Sequence, residues 1–213
     1  MGSSVKSATL TKTKIMGKGG GQGVYVAGGK VTLTDVMVSK VGIGVQMMGA
    51  GSLTMNGTTE IQFAGNYGVY VGGEVTRAEL TKTVIRGEGN GSEYGVYAGD
   101  KVMGEVTMTT ITRGGSGAGM HVKVHEMRGA LRGALRGRTV RLEGVQISGV
   151  QKGVHVTGGG TLMIEGSSII QFTGEYGVKV GEKVTNASLK DVKITGSGKA
   201  EKYGMGVYVG EEM

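Results

Sequence analysis

One short stretch constrains this chain more than any other. Gly68-Val69-Tyr70-Val71 is a strand fragment behind a glycine, and it returns along the whole sequence. Related stretches begin at Gly23, Gly44, Gly95, Gly119, Gly153, Gly177 and Gly206. The steps between successive first glycines are 21, 24, 27, 24, 34, 24 and 29 residues. A period in this range marks stacked repeats, because a unit that small cannot bury its apolar face alone.

A second element precedes each Gly-Val stretch. Residues 8–17 read ATLTKTKIMG, 78–87 read AELTKTVIRG and 187–196 read ASLKDVKITG. Apolar and β-branched residues alternate there with polar ones, the pattern of a strand with one buried face. Each repeat thus offers two or three short strands joined by glycine turns, where glycine can take positive φ without a Cβ clash. A larger duplication overlies the small one. Residues 31–89 align with 140–198 at a constant offset of 109, without gaps, and 27 of the 59 pairs are identical. The same backbone is therefore built twice.

Coils of all-strand repeats bury their faces by stacking, which sets equivalent strands side by side and parallel. The expected fold is all-β, a right-handed parallel β-helix of about eight coils. Their bounds fall near 7–29, 30–51, 52–73, 74–102, 103–138, 139–160, 161–183 and 184–213, with residues 1–6 as a tail. A β-sandwich gives no reason for this register, and the Leu/Asn signature of leucine-rich repeats is missing.

Composition removes other classes. The chain has 45 Gly among 213 residues but no Pro and no collagen triplet, so a triple helix is excluded. Regularly placed Val, Ile and Leu argue against Gly-rich disorder. No apolar run is long enough to span a membrane as a helix. The absence of Cys excludes a disulfide framework.

Alternation assigns columns. With the valines of Gly-Val-x-Val inside, x points outward. The x column reads Tyr25, Gln46, Tyr70, Tyr97, His121, His155, Lys179, Tyr208. Phe63 and Phe172 are expected to fill equivalent interior places. Two readings of the tyrosine column stand: a ladder that stabilises the sheet, or a contact strip for a partner, with Tyr70 and Tyr97 as its anchors.

The catalytic inventory is short. There is no Cys nucleophile, and the glycines of 17–21 lack the ordered pattern of a phosphate loop. His121, His125 and His155 can meet near coils five and six, but without a matching fourth ligand no metal site and no cofactor is expected. Polysaccharide-cleaving β-helices need clustered acids. The three aspartates here are Asp35, Asp100 and Asp191. Asp35 and Asp191 hold a place in the coil that Lys12 and Lys82 hold elsewhere, as on a solvated face. No enzyme is expected.

Charge is concentrated instead. The formal net charge is +7. Between 113 and 141 stand Arg113, Lys123, Arg128, Arg132, Arg136, Arg138 and Arg141 against Glu126 alone, a net +6. This stretch also holds an insertion, near 123–138, that lengthens one repeat step to 34 residues. It reads either as a solvated loop or as a partner site, since arginine forks grip sulfate, phosphate and carboxylate. Lys123, Arg128, Arg132, Arg136, Arg138 and Arg141 are the candidate binding residues.

Repeats with Gly-Val-Tyr-Val-Gly-Gly, Leu-Thr-Lys-Thr and Ile-Gln-Phe-x-Gly, free of cysteine, resemble the passenger domains of bacterial autotransporters. Among these the chain is most similar to the Bartonella angiogenic factor group. The resemblance implies a secreted or cell-surface virulence factor whose signal peptide and translocator barrel lie outside this stretch. It further implies a host partner, a vascular endothelial growth factor receptor on endothelial cells. A heparan-sulfate-binding adhesin and a pectate-lyase-like enzyme are the alternatives.

Overall fold

The computed structural model describes residues 6–72, 74–88, 94–99, 103–107, 109–113, 117–124, 139–197 and 204–210. The basic insertion, with Arg128, Arg132, Arg136 and Arg138, therefore lies outside the described residues, as do His125 and Asp100.

The strands follow the coils. Coil one supplies β1 (Ser7–Thr11), β2 (Lys14–Met16) and β3 (Gln22–Val26). Coil two supplies β4 (Gly29–Thr34) and β5 (Met37–Met47), and coil three β6 (Gly51–Asn56) and β7 (Glu60–Val71). Coil four gives β8 (Val75–Thr81), β9 (Val84–Gly87) and β10 (Tyr94–Ala98). Coil five gives β11 (Met103–Thr107), β12 (Thr110–Arg113) and β13 (Ala118–Val124). Then come β14 (Thr139–Glu143) and β15 (Gln146–Gly158), and β16 (Gly160–Glu165) and β17 (Ser168–Val180). The last coil is β18 (Val184–Leu189), β19 (Val192–Gly196) and β20 (Met205–Val209).

Among the described residues there is no helix, and strands of successive coils pair in parallel, so the fold is a β-solenoid. One sheet takes a strand from every coil, in the order β1-β4-β6-β8-β11-β14-β16-β18. The second sheet, of twelve strands, carries the other two ladders. The long strands β5, β7, β15 and β17 serve both: β7 pairs β9 through Glu60–Phe63 and β10 through Tyr67–Val71. The first and last rungs have a neighbour on one side only, so about six turns are closed on both sides, slightly fewer than the eight coils read from the sequence.

The duplication is visible in register. Shifts in the β5–β7 pairing lie at Val38/Val41 and Val41/Ile43, and those in β15–β17 at Ile147/Val150 and Val150/Lys152, each 109 residues on. Phe63 and Phe172 sit at these bulges, 1% and 3% exposed. The core is built from stacked columns of apolar side chains. Val69 and Val178 both point inward and are fully buried, as are Leu33, Met55, Ile61 and Ile164. Burying one such side chain contributes about 1.5–3 kcal/mol.

The polar corner between the first two ladders has its own device. Lys12, Asp35, Lys82 and Asp191 all take φ between 48° and 54°. A non-glycine residue there costs about 1–2 kcal/mol. Thr59 Oγ1 donates to the Asn56 carbonyl (2.7 Å) and accepts from Val36 N–H (3.3 Å). Ser168 does the same for Glu165 and Val145, at 2.6 and 3.2 Å. These hydroxyls are fully buried and satisfied, as buried polar groups must be.

The first glycine of Gly-Val-x-Val is not a turn residue. Gly29, Gly51 and Gly57 take positive φ, but Gly44, Gly68, Gly95, Gly119, Gly153 and Gly177 do not. A β-carbon built on Gly68 would lie 2.4 Å from Ile85 Cγ2 and 2.7 Å from the Gly95 carbonyl oxygen. The same isoleucine column blocks Gly95 through Ile111 and Gly119 through Ile147, each at 2.4 Å. Glycine is required here because the backbone passes directly over a core side chain of the next coil.

Candidate functional site

With Gly68 and Val69 turned into the core, Tyr67 and Tyr70 are left on the outside, three residues apart. Stacking then multiplies the pair. Tyr70 is in register with Tyr97, Tyr97 with His121, His121 with His155, His155 with Lys179, and Lys179 with Tyr208. This is the column read from alternation, in the same order. A second column runs beside it: Tyr67, Tyr94, Ala118, Lys152, Tyr176. This column lies outside the x position of Gly-Val-x-Val, although Tyr67, Tyr94 and Tyr176 share a Tyr-Gly-Val signal.

The two columns merge into one strip. Tyr70 and Tyr97 stack with centroids 5.0 Å apart and planes within 4°, and Tyr97 stacks on His121 at 5.3 Å and 10°. Tyr67 meets Tyr70 edge to face at 4.9 Å and lies parallel to Tyr94 at 6.0 Å. Tyr94 reaches His121 at 5.1 Å. Each such pair adds about 0.5–1.5 kcal/mol beyond its burial. Because the ring faces engage one another along the stack, a partner meets ring edges and hydroxyls. Flat stacking of a sugar on an open aromatic face is disfavoured.

The histidines join the tyrosine half to a cationic half. His121 and His155 pack edge to face at 4.7 Å, and their Nδ1 atoms are 3.1 Å apart. One ring must donate and the other accept, so the pair holds opposite Nδ1 protonation. Nε2 of His155 is buried without a hydrogen-bond partner. Burial, then the Lys123 ammonium, pushes His121 down to about 4. Burial, then His121, Lys179 and Lys152, does the same to His155, also to about 4. Both rings are therefore neutral near pH 7. Beyond them Lys179 lies 5.8 Å from the Tyr176 ring centroid and 5.6 Å from that of Tyr208, and Lys152 5.9 Å from Tyr176. Lys152 also pairs with Glu175 at 3.0 Å.

The sequence candidates separate. Tyr70 and Tyr97 are in the strip. Lys123 is exposed near the end of β13, two residues beyond His121 and opposite Thr157. Arg141 is elsewhere: on β14 of the first sheet, bridged to Glu143 at 3.0 Å and to Glu165 at 2.5 Å. Its charge is locally compensated, so it does not extend a free basic patch on that strand.

Metal chemistry is poorly served. Among the described residues no group of three or more potential ligands gathers. The two histidines stand among three lysine ammoniums, which oppose a cation. Glutamates are also engaged: Glu60 with Arg86 at 3.0 Å and Glu79 with Arg77. Asp35 accepts from the backbone N–H of Thr58 (2.8 Å) and from its hydroxyl (3.1 Å). Those bonds, aided by Lys12, hold its carboxyl below the usual range. No family model, no curated protein and no solved structure matches the chain.

Proposed function

We propose that this chain is a non-enzymatic binding module, a solenoid that presents its Tyr/His/Lys strip, together with the basic insertion that follows in the sequence, to a protein partner. The observation that carries this reading is the strip itself. Ordered aromatic rings with half-buried faces lose little side-chain entropy on contact, which makes tyrosine a favoured anchor of protein interfaces. The engagement of Asp35 by Thr58 and of glutamates by neighbouring cations supports a binding role over acid–base hydrolysis. The resemblance to autotransporter passengers of the angiogenic group supplies the partner: a vascular endothelial growth factor receptor, engaged by a secreted or surface-borne ligand.

The test is binding of the purified chain to receptor ectodomain and stimulation of endothelial cells. Arg128, Arg132, Arg136 and Arg138 are replaced together by serine, and Tyr70 and Tyr97 by alanine in a second variant. The arginine variant is expected to keep its thermal stability. Its association rate falls and loses its salt dependence. The tyrosine variant dissociates faster. If both variants fold and stimulate cells like the parent, the reading fails. Release of reducing or unsaturated sugar ends at enzyme-like turnover would favour the hydrolytic alternative.

A further inference from the structure

The large apolar side chains that stand exposed among the described residues gather at the two ends. Met16 and Tyr25 belong to coil one, Met37 and Met48 to coil two, and Val207 and Val209 to the last coil. Val207 continues the column of Val69 and Val178, both 0% exposed, yet is 47% exposed itself. Val209 continues that of Val71 and Val180 and is 72% exposed. The core columns run to the last rung and stop there, open.

The terminal strands are also sheet edges. Among the described residues β18, β19 and β20 pair only with β16 and β17, and β1, β2 and β3 only with β4 and β5. A parallel edge presents backbone groups that one more parallel strand can take up. The two ends fit because the coils are copies. Leu10, Ile15, Val24 and Val26 begin the columns that Leu189, Ile194, Val207 and Val209 end. On the outside, Tyr25 begins the column that Tyr208 ends. At the corner, Lys12 and Asp191 share one left-handed place, at φ 48° and 54°. Lys12 already acts on Asp35, which holds that place in the neighbouring coil.

We propose that the chain binds a second copy of itself head to tail, the first coil of one molecule continuing the last coil of another. Leu10 then covers Leu189, Ile15 covers Ile194, the rung of Val24 and Val26, whose side chains are 9% and 1% exposed within one chain, lies over Val207 and Val209, and Lys12 pairs with Asp191. The contact is heterologous, so it does not close and propagates into a rod. One column opposes it. Lys14 begins and Lys193 ends the same outward position, setting two ammoniums across the junction.

Sedimentation velocity over a concentration series, with negative-stain microscopy, tests this on the 213-residue chain. Rods are expected whose lengths grow by about 38 Å per copy, eight steps of about 4.8 Å. Val209→Asp, at an exposed site, weakens association about tenfold or more while the melting temperature holds. Asp191→Lys weakens it too, and the fold tolerates that change because Lys12 and Lys82 already hold the corner at the same φ. Lys193→Glu strengthens it. A chain that stays monomeric up to about 1 mM overturns the proposal. So do assemblies that Val209→Asp and Asp191→Lys leave unchanged, or that Tyr70→Ala with Tyr97→Ala abolishes instead.

Discussion

Replacing Gly68 with alanine adds one methyl group where coils three and four come closest. Its β-carbon would lie 2.4 Å from Ile85 Cγ2, 2.7 Å from the Gly95 carbonyl oxygen and 2.9 Å from Phe63 Cε1. Ile85 is fully buried and Phe63 is 1% exposed, so neither side chain has room to withdraw, and the carbonyl belongs to a ladder. Overpacking of this kind costs about 1–3 kcal/mol. The alanine also stiffens the unfolded chain, which returns about 0.4–1 kcal/mol where φ is ordinary. The net loss is about 1.3 kcal/mol, and at about 2–4 °C per kcal/mol for a chain of this size the melting temperature falls by about 3–5 °C. Gly206→Ala is the control. Gly206 opens the same tetrapeptide and has the same ordinary φ, yet the nearest atom to its added methyl is Ile194 Cγ2 at 3.9 Å. No clash arises within one molecule, so in dilute solution that variant is neutral or slightly stabilised. Thermal melts by circular dichroism compare the two. A Gly68/Ile85 double-mutant cycle to alanine should show coupling of about 1–3 kcal/mol, because Ile85→Ala removes the offending carbon. Equal shifts in Gly68→Ala and Gly206→Ala would refute the close-approach argument and return these glycines to a conformational role.

Acid should weaken the fold through the histidine pair. Both rings are pushed down to about 4 in the folded protein from the ordinary imidazole value of 6.5, so between those values the unfolded chain binds more protons. Stability is full above about pH 6.5 and declines as pH falls towards 4. Discounted for partial exposure, the loss is about 2 kcal/mol for the pair. Asp35, whose depressed carboxyl loses its contribution only below its ordinary range, acts beneath that window. A His121→Gln/His155→Gln variant should give a flat stability profile between pH 6.5 and 4 by urea titration; an unchanged slope would place the acid sensitivity elsewhere. Phe63→Ala and Phe172→Ala should each cost about 3–5 kcal/mol and match one another, because both rings fill the same bulge 109 residues apart. Guanidinium melts check this, and a large inequality would show that the two halves pack differently.

The sequence carried the fold because a solenoid is nearly one-dimensional. Each coil touches its neighbours, so the period states which residues stack. Alternation states which face is buried. The constant offset of 109 placed Val69 over the same environment as Val178, and Phe63 over that of Phe172. For the same reason the column from Tyr25 to Tyr208 could be written down in order from the letters alone.

What the letters could not state is what lies about 5 Å away on the next coil or across a bulge. The second tyrosine column lies beside the first only because Gly68, Gly95 and Gly177 are turned inward, which frees Tyr67, Tyr94 and Tyr176 to share the outer face. That His121 and His155 come within 3.1 Å of one another depends on a register that spans the insertion. Arg141 reads as part of a basic run along the chain, yet Glu143 and, across the sheet, Glu165 compensate it. Gly68 and Gly206 begin tetrapeptides of identical sequence, Gly-Val-Tyr-Val. Only the tertiary structure separates them, because one is roofed by another coil and the other is not.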